Sequence, residues 1–221
     1  MIASSRLHLF KPQRPISESD LPSPGIKLAL LDLAIGKLTG AGYVHIGMDH
    51  FAKSHDELAV AQREGKLQRN FQGYSTDTDC DLLSFGISAI GKVGATCSQN
   101  VRILDDYYDR LDADALPCFP GWQLSADDLL RRDVIQALMC QFTVPFERLE
   151  AVHAIVFHEY FATELEALKR LVDDGLIEIA SDAITVTRRG RLLVRTVAMV
   201  FDYYLREQRE QREQALYSRV I

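Results

Sequence analysis

The sequence predicts an α+β fold, mainly α, and three observations carry that expectation. Apolar residues recur at helical spacing over Ser23 to Leu38 and again from Ser125 onward. Between them, from Ile46 to Gly94, single glycines and polar residues break up short apolar runs, a pattern of loops and short strands held on a scaffold. Near the end, Leu176 to Ile179 and Ile184 to Thr187 alternate as a two-strand hairpin does.

Met1 to Leu21 is poorly patterned, with Pro12 and Pro15 beside a Ser-rich stretch. Ser23 and Pro24 then supply an N-cap and a proline at the first helical position, followed by a stripe of Ile26, Leu30, Leu31, Leu33, Ala34 and Leu38. Gly40 and Gly42 close that helix, and Tyr43 to Ile46 is expected as a short buried strand. Ser23 to Gly47 therefore reads as one helix-then-strand unit of an α/β layer. A helix is expected over Asp56 to Lys66, capped by Ser54, with Leu58, Val60 and Ala61 facing in. Asn70 to Thr76 reads as extended, Asp77 to Leu83 as a turn and short helix, and Phe85 to Val93 as a glycine-broken strand. Val101 to Leu111 follows as an amphipathic helix.

Pro117 and Pro120, within Ala113 to Gly121, mark the expected domain boundary and divide the chain into 1–116 and 117–221. Ser125 with Asp128 resembles a capping box ahead of a helix whose inward face is Leu129, Leu130, Val134, Ile135, Leu138 and Phe142. Further helices are expected over Glu147 to Val156 and Ala162 to Asp173, the second stopped by Gly175. After the hairpin, Arg189 to Leu205 returns to helix. Helices, a hairpin wing and a closing helix make the second part winged-helix-like. The Arg, Glu and Gln run from Arg206 to Gln214 reads as a solvated helix extension.

A net charge of −6 and a pI near 5.5 disfavour a dedicated nucleic-acid binder or a basic membrane-surface protein, because tracking phosphates takes clustered Lys and Arg. The basic run at 188–191 stands among Asp173, Asp174, Glu178 and Asp182, which argues against a phosphate-facing wing. No apolar run spans a bilayer and no leader is evident, so the expected location is cytoplasmic. Cys80, Cys97, Cys118 and Cys140 lie about twenty residues apart with no paired spacing, so reduced thiols and no metal site are expected.

Residues 47–52 (GMDHFA), 56–76 (DELAVAQREGKLQRNFQGYST) and 86–94 (GISAIGKVG) resemble the oxygen-independent coproporphyrinogen III oxidase family, radical S-adenosylmethionine (SAM) enzymes of haem biosynthesis. The resemblance continues through RRDVI at 131–135, DGL at 174–176, a TxxGRLLxR pattern at 187–195 and the terminal SRVI. The family's CxxxCxxC motif, which holds a 4Fe-4S cluster, does not occur in these 221 residues. The chain is thus similar to the carboxy-terminal half of such an enzyme: a remnant of a partial α/β barrel, with few strands plus helices, followed by the helical winged-helix-like domain.

The resemblance implies oxidative decarboxylation of two propionates of coproporphyrinogen III. SAM and a 4Fe-4S cluster are the cofactors of the full-length family enzyme, and neither is expected on this chain alone. It also implies that Phe71, Gln72 and Ile90 line a SAM pocket, where an aromatic and a branched side chain can wall the nucleoside and an amide can meet its polar groups. Met48, Asp49 and His50 fall at a strand end, where α/β scaffolds place active sites, so Asp49 and His50 are the catalytic candidates, against a purely structural His–Asp contact. Arg69, Arg131 and Arg132 are candidates for the propionates, because a guanidinium fork fits a carboxylate. Two rival readings stand beside the enzyme fragment: a haem-binding relative using His45, His50 or a cysteine, and a winged-helix interaction module. Strands without barrel neighbours would leave an open edge, giving a homodimer or an edge covered by the residues before Ser23.

Overall fold

The computed structural model describes residue 17 and residues 20–77 and 80–208. Helix α1 (Pro24–Gly40) starts as expected: the Ser23 hydroxyl accepts from the Ile26 N–H and Pro24 fills the first turn. Its apolar stripe, however, is only partly covered, with Leu31 and Leu38 half-buried where the helix packs against Tyr43–Gly47 and the turn at Gly190–Leu193, and no residue of α1 is buried. Gly42, at φ 83°, turns the chain out of the helix, a conformation glycine adopts without strain.

Strands β1 (Tyr43–Gly47) and β2 (His50–Lys53) then form a tight antiparallel hairpin. The strand of the expected helix-then-strand unit of an α/β layer is present, but β1 pairs with β2 as a hairpin. Every strand pair among the described residues is antiparallel. Helix α2 (Glu57–Arg63) is shorter than expected and is capped by Asp56, not Ser54: the Asp56 carboxylate accepts from the Leu58 N–H at 2.9 Å. Its buried face is Ala59 and Ala61, with Leu58 and Val60 half-buried.

The extended stretch expected over 70–76 is a small hairpin, β3 (Gln68–Arg69) and β4 (Tyr74–Ser75). No helix forms among the described residues of 77–83, where Leu82 instead bridges to Lys92. Only the end of 85–93 is a strand, β5 (Ile90–Val93), and it joins β6 (Thr96–Asn100) and β7 (Cys118–Gln123) in a three-stranded sheet of order β5-β6-β7. Helix α3 (Leu104–Asp112) crosses between β6 and β7 with no buried residue.

The sheet runs across the boundary expected at 116/117. Strand β7 is an edge strand, and its register with β6 shifts between Cys97 and Gln99, which accommodates Pro120 within the ladder. Gly121 passes so close to the Cys97 carbonyl oxygen that a Cβ there would lie 2.8 Å from it. Asn100, 3% exposed, ties the sheet to the preceding loop by donating to the Gly86 carbonyl at 2.9 Å.

Helix α4 (Ala126–Gln141) is the central element of the second half. Its capping box is complete: the Asp128 N–H donates to the Ser125 hydroxyl, and the Ser125 N–H donates to Asp128 Oδ2 at 2.8 Å. Leu130, Val134, Leu138, Met139 and Cys140 are buried, and Phe142 ends the helix at φ 59°. Leu129, expected to face in, is only half-buried.

Strand β8 (Thr143–Pro145), α5 (Phe146–His153), α6 (Phe157–Tyr160) and α7 (Ala162–Asp173) follow. The expected hairpin is present as β9 (Ile177–Ile179) and β10 (Ala183–Val186), and β8 adds a third strand in the order β8-β10-β9. Arg189 to Leu205 is not one helix. A 3-10 turn at Gly190–Leu193, α8 (Val194–Ala198) and a second 3-10 turn at Met199–Phe201 precede a helical stretch starting at residue 203. The tail expectation falls outside the described residues from 209 onward, as do Met1 to Ile16 and the terminal SRVI.

One core joins Leu130, Val134 and Leu138 of α4 to Phe157, Phe161, Val197 and Phe201. The Phe146 and Phe157 rings stack at 4.1 Å. Each such ring contributes about 2 to 3 kcal/mol by leaving water. The same core takes in Ile46, Ala52, Ala59 and Leu67, so the β1–β2 hairpin and α2 pack on the helical half. Gln62 reinforces that junction: its Nε2 donates to the Ile46 carbonyl at 2.7 Å and to the Cys140 carbonyl at 2.9 Å.

Candidate functional site

The β1–β2 turn and the loop between β3 and β4 meet at one place. Met48, at φ 52°, and Asp49 make the turn, and its carbonyl is held by the His45 ring, with Nε2 3.0 Å from the Met48 oxygen. His45 stacks on Phe51 at 4.9 Å, and its partial burial holds its pKa below the ordinary histidine value despite the bond to Met48. His45 is thereby kept neutral and donating, which suits a turn-holding role.

His50 Nδ1 lies 3.0 Å from Asp49 Oδ1, so the carboxylate selects the tautomer with the proton on Nδ1 and leaves Nε2 to accept. The Asp49 side chain is largely in solvent and His50 is partly exposed, so this pair is an open one. The His50 ring meets the Tyr74 ring edge-on at 5.1 Å, and its Nε2 faces Gly73, where an added Cβ would lie 3.2 Å away.

Asn70 shapes the loop that carries Phe71 and Gln72. Its Oδ1 accepts from the N–H groups of Gln72 at 2.9 Å and Gly73 at 3.2 Å, and its own N–H donates to the Gly73 carbonyl at 2.9 Å. Phe71 is thereby presented to solvent at 68% exposure, with Gln72 exposed beside it. Tyr74 anchors the far end by donating its hydroxyl to the Met139 carbonyl at 3.1 Å, and burial pushes its pKa up to about 12. Asn70, Gly73 and Tyr74 were not among the expected site residues. Their signal was the Asn-x-x-Gly spacing of a turn closed by its own side chain.

Asp49, His50 and the loop bearing Phe71 and Gln72 are thus neighbours. Ile90 stands elsewhere in the topology, opening β5 opposite Gln99. None of the five lines either of the two cavities described here. One, of about 410 Å³, is lined by His55, Glu57, Val60, Glu64 and Lys66. The other, of about 340 Å³, is lined on its polar side by Arg69, Asp128, Arg131, Arg132 and Asp202.

The three arginines expected to serve propionates differ in their partners. Arg131 is already neutralised, with Nε donating to both Asp127 oxygens at 2.9 and 2.8 Å and Nη1 to Glu164 Oε1 at 2.8 Å. It is therefore a structural ion-pair residue, which corrects its candidacy. Arg69 and Arg132 each keep a buried N–H without an acceptor, on Nε and Nη1 respectively.

Among the described residues, no group of three or more His, Cys, Asp or Glu side chains is placed to hold a metal ion. These residues do not fit an iron–sulfur cluster. Cys140 is buried, and its thiol is pushed up to about 12 by that burial. No helix among the described residues is long and apolar enough to cross a membrane.

Comparison with known proteins agrees with the sequence resemblance. Residues 124–193 match the HemN C-terminal domain family. The chain is 48% identical over 213 residues to the oxygen-independent coproporphyrinogen III oxidase of Salmonella typhimurium, covering 96% of this chain and 46% of that protein. It is 46% identical over 213 residues to the Escherichia coli K12 enzyme, again covering 96% of this chain and 46% of the relative. The solved structure of Escherichia coli coproporphyrinogen III oxidase, described as a radical SAM enzyme, superimposes with a TM-score of 0.84 at 47% identity, over 89% of this chain and 45% of that one. The chain spans about half the length of these relatives. A turn built on GMDH, a loop built on NFQGY and a helical half closed by a HemN C-terminal domain place this chain in the oxygen-independent coproporphyrinogen III oxidase family, matching the carboxy-terminal part of its members.

Proposed function

We propose that this chain supplies the carboxy-terminal part of an oxygen-independent coproporphyrinogen III oxidase, whose reaction removes two propionate carboxyls of coproporphyrinogen III to give protoporphyrinogen IX. The observation that supports it most is the fold match at TM-score 0.84 with 47% identity, too close for shared topology alone. In a complete enzyme, SAM together with a 4Fe-4S cluster held by other residues would supply the radical chemistry. Because the described residues do not fit a cluster, no step through one is assigned to them.

The roles proposed for this chain are binding and orientation. Phe71 and Gln72 form one wall of a SAM pocket: the exposed ring offers a face for a nucleoside and the amide meets polar groups, with the Asn70 turn fixing both. Ile90 contributes from the edge of β5. Asp49 and His50 belong to a polar network facing substrate, with Nε2 of His50 as its free acceptor. The proposed division into a partial-barrel remnant over 1–116 and a winged-helix-like domain over 117–221 is not a clean cut, because β7 pairs with β6 across it, and the chain is proposed to act in the cytoplasm.

A chimera tests this reading. The amino-terminal part of the Escherichia coli relative joined to this chain, with its cluster reconstituted anaerobically, is expected to convert coproporphyrinogen III to protoporphyrinogen IX. Replacing Gln72 by Ala should weaken SAM binding. A folded chimera that carries its cluster yet makes no product would overturn the assignment.

A further inference from the structure

We propose that Arg69 and Arg132 form a carboxylate-binding site in the cleft between the β3–β4 hairpin and α4. Two independent features place them together. Gln136, on α4, pairs with the Arg69 backbone in both directions, its Nε2 donating to the Arg69 carbonyl at 2.5 Å and its Oε1 accepting from the Arg69 N–H at 3.1 Å. Arg132 lies one helical turn before Gln136, on the same face of α4. Both residues line the same cavity of about 340 Å³.

The charged groups of that cavity are unevenly paired. Arg131 is taken up by Asp127 and Glu164. Asp128 and Asp202 keep their charges, bonded to the neutral Ser125 N–H and hydroxyl and to the Leu205 N–H, but neither forms an ion pair with Arg69 or Arg132 among the described residues. Among the described residues Arg132 meets one carboxylate, Asp133, at 3.5 Å and through Nη2, and its Nη1 is buried and unpaired. Arg69 has no carboxylate partner among the described residues. Its neighbour is the Tyr74 ring, 5.7 Å away, and its Nε is also buried and unpaired. Two half-buried cations with unused donors in one hollow call for an anion, and a planar guanidinium favours a carboxylate that takes two parallel hydrogen bonds.

Ile135, Met139 and Phe201 give the cavity an apolar wall, with Tyr203 and Tyr204 also lining it. A cavity of about 340 Å³ lies at the small end of ligand sites and suits one carboxylate arm rather than a whole macrocycle. The site is inferred from the arginines alone, and only the identity of its ligand rests on the functional reading above. The carboxylate is that of a porphyrinogen propionate or of the methionine end of SAM.

The test is calorimetric titration of the 221-residue chain with coproporphyrin III, SAM and succinate. Arg69→Gln and Arg132→Gln are each expected to weaken the carboxylate that binds by about ten-fold or more. Arg132→Lys keeps the charge without the fork and should lose less, while Arg170→Gln, on the exposed side of α7, should change nothing. Circular dichroism checks that each variant folds, and Arg132→Lys keeps the test valid if Arg69→Gln does not. Arginine-dependent binding of coproporphyrin III assigns the site to a propionate, and of SAM to the methionine end. Arginine-dependent succinate binding without coproporphyrin III would keep the site and sink the porphyrinogen reading. Coproporphyrin III binding that ignores both variants, or no carboxylate binding at all, would overturn the site.

Discussion

Glu164 is 2% exposed and shares a single oxygen, Oε1, with Arg131 at 2.8 Å, while Arg206 reaches the same atom at 2.7 Å from the other end of the helical half. A buried acid in that position is paired because an unpaired charge there would be expelled. Glu164→Ala leaves Arg131 with Asp127 alone and takes from Arg206 its carboxylate, and is expected to cost about 1.5 to 3 kcal/mol. Urea unfolding followed by circular dichroism checks it, and a change under 1 kcal/mol, the scale of an exposed pair, would refute the structural role.

Gly47 has no room for a side chain. A Cβ there would overlap the Tyr74 hydroxyl and press on the Phe142 ring. Gly47→Ala is expected to displace Tyr74 from the Met139 carbonyl and destabilise the chain by about 1 to 3 kcal/mol. Tyr74→Phe combined with Gly47→Ala should recover part of that loss, because the clashing oxygen is gone.

Thiol reactivity should separate the cysteines. Cys80 is exposed, whereas Cys140 is buried with its pKa pushed up to about 12. Since the thiolate is the nucleophile, iodoacetamide at pH 8 should label Cys80 and spare Cys140 in the native chain, with both labelled in urea. Mass spectrometry of the digested protein reads the outcome, and rapid native labelling of Cys140 would contradict the packing.

The pH response of His45 follows from burial. Its folded pKa lies below the ordinary value of 6.5, chiefly because burial disfavours the charged ring. As pH falls through about 6.5, the unfolded chain takes up a proton that the folded chain resists, so stability is present above that pH and declines below it. Thermal melts between pH 7.5 and pH 5.5 should show a decline that is shallower in His45→Gln. A slope unchanged by the substitution would exclude His45 as its source.

Helix α1 leaves Ile26, Leu28, Leu30 and Leu33 exposed. We propose that these residues bring two copies of the chain together in solution when nothing else covers them. Light scattering should show mass rising with concentration, and Leu30→Glu with Leu33→Glu should return a monomer. A monomer at high concentration in the unaltered chain would rule this out.

What the sequence revealed depended on how locally each feature was encoded. Ala162 to Asp173 was legible from its period and the Gly175 stop, and the Ser125–Asp128 box from its own spacing, because each signal is local to one helix. The β6–β7 pairing was not: TCSQN is polar and irregular, and Pro117 and Pro120 looked like a break because the shift at Cys97 to Gln99 that tolerates a proline appears only once the strands align. Ser54 was favoured over Asp56 as a cap because both are good cap types, and two residues of offset are decided by the chain's exit from β2. The α1 stripe read correctly as a helix but not as a buried one, since burial depends on a neighbour that its own sequence does not encode. At the candidate site, the resemblance drew attention to Asp49, His50, Phe71 and Gln72, which the fold gathers. The unequal pairing of Arg131 and Arg132, adjacent in sequence, required side-chain positions.

Gln62 spends both protons of its amide on carbonyls from distant parts of the chain, one in β1 and one at the end of α4. The turn carrying Asp49 and the helix carrying Arg132 are consequently clamped in a common frame, so a displacement forced on either is transmitted to the other. A shorter side chain at that position would uncouple them while leaving every candidate ligand contact chemically intact.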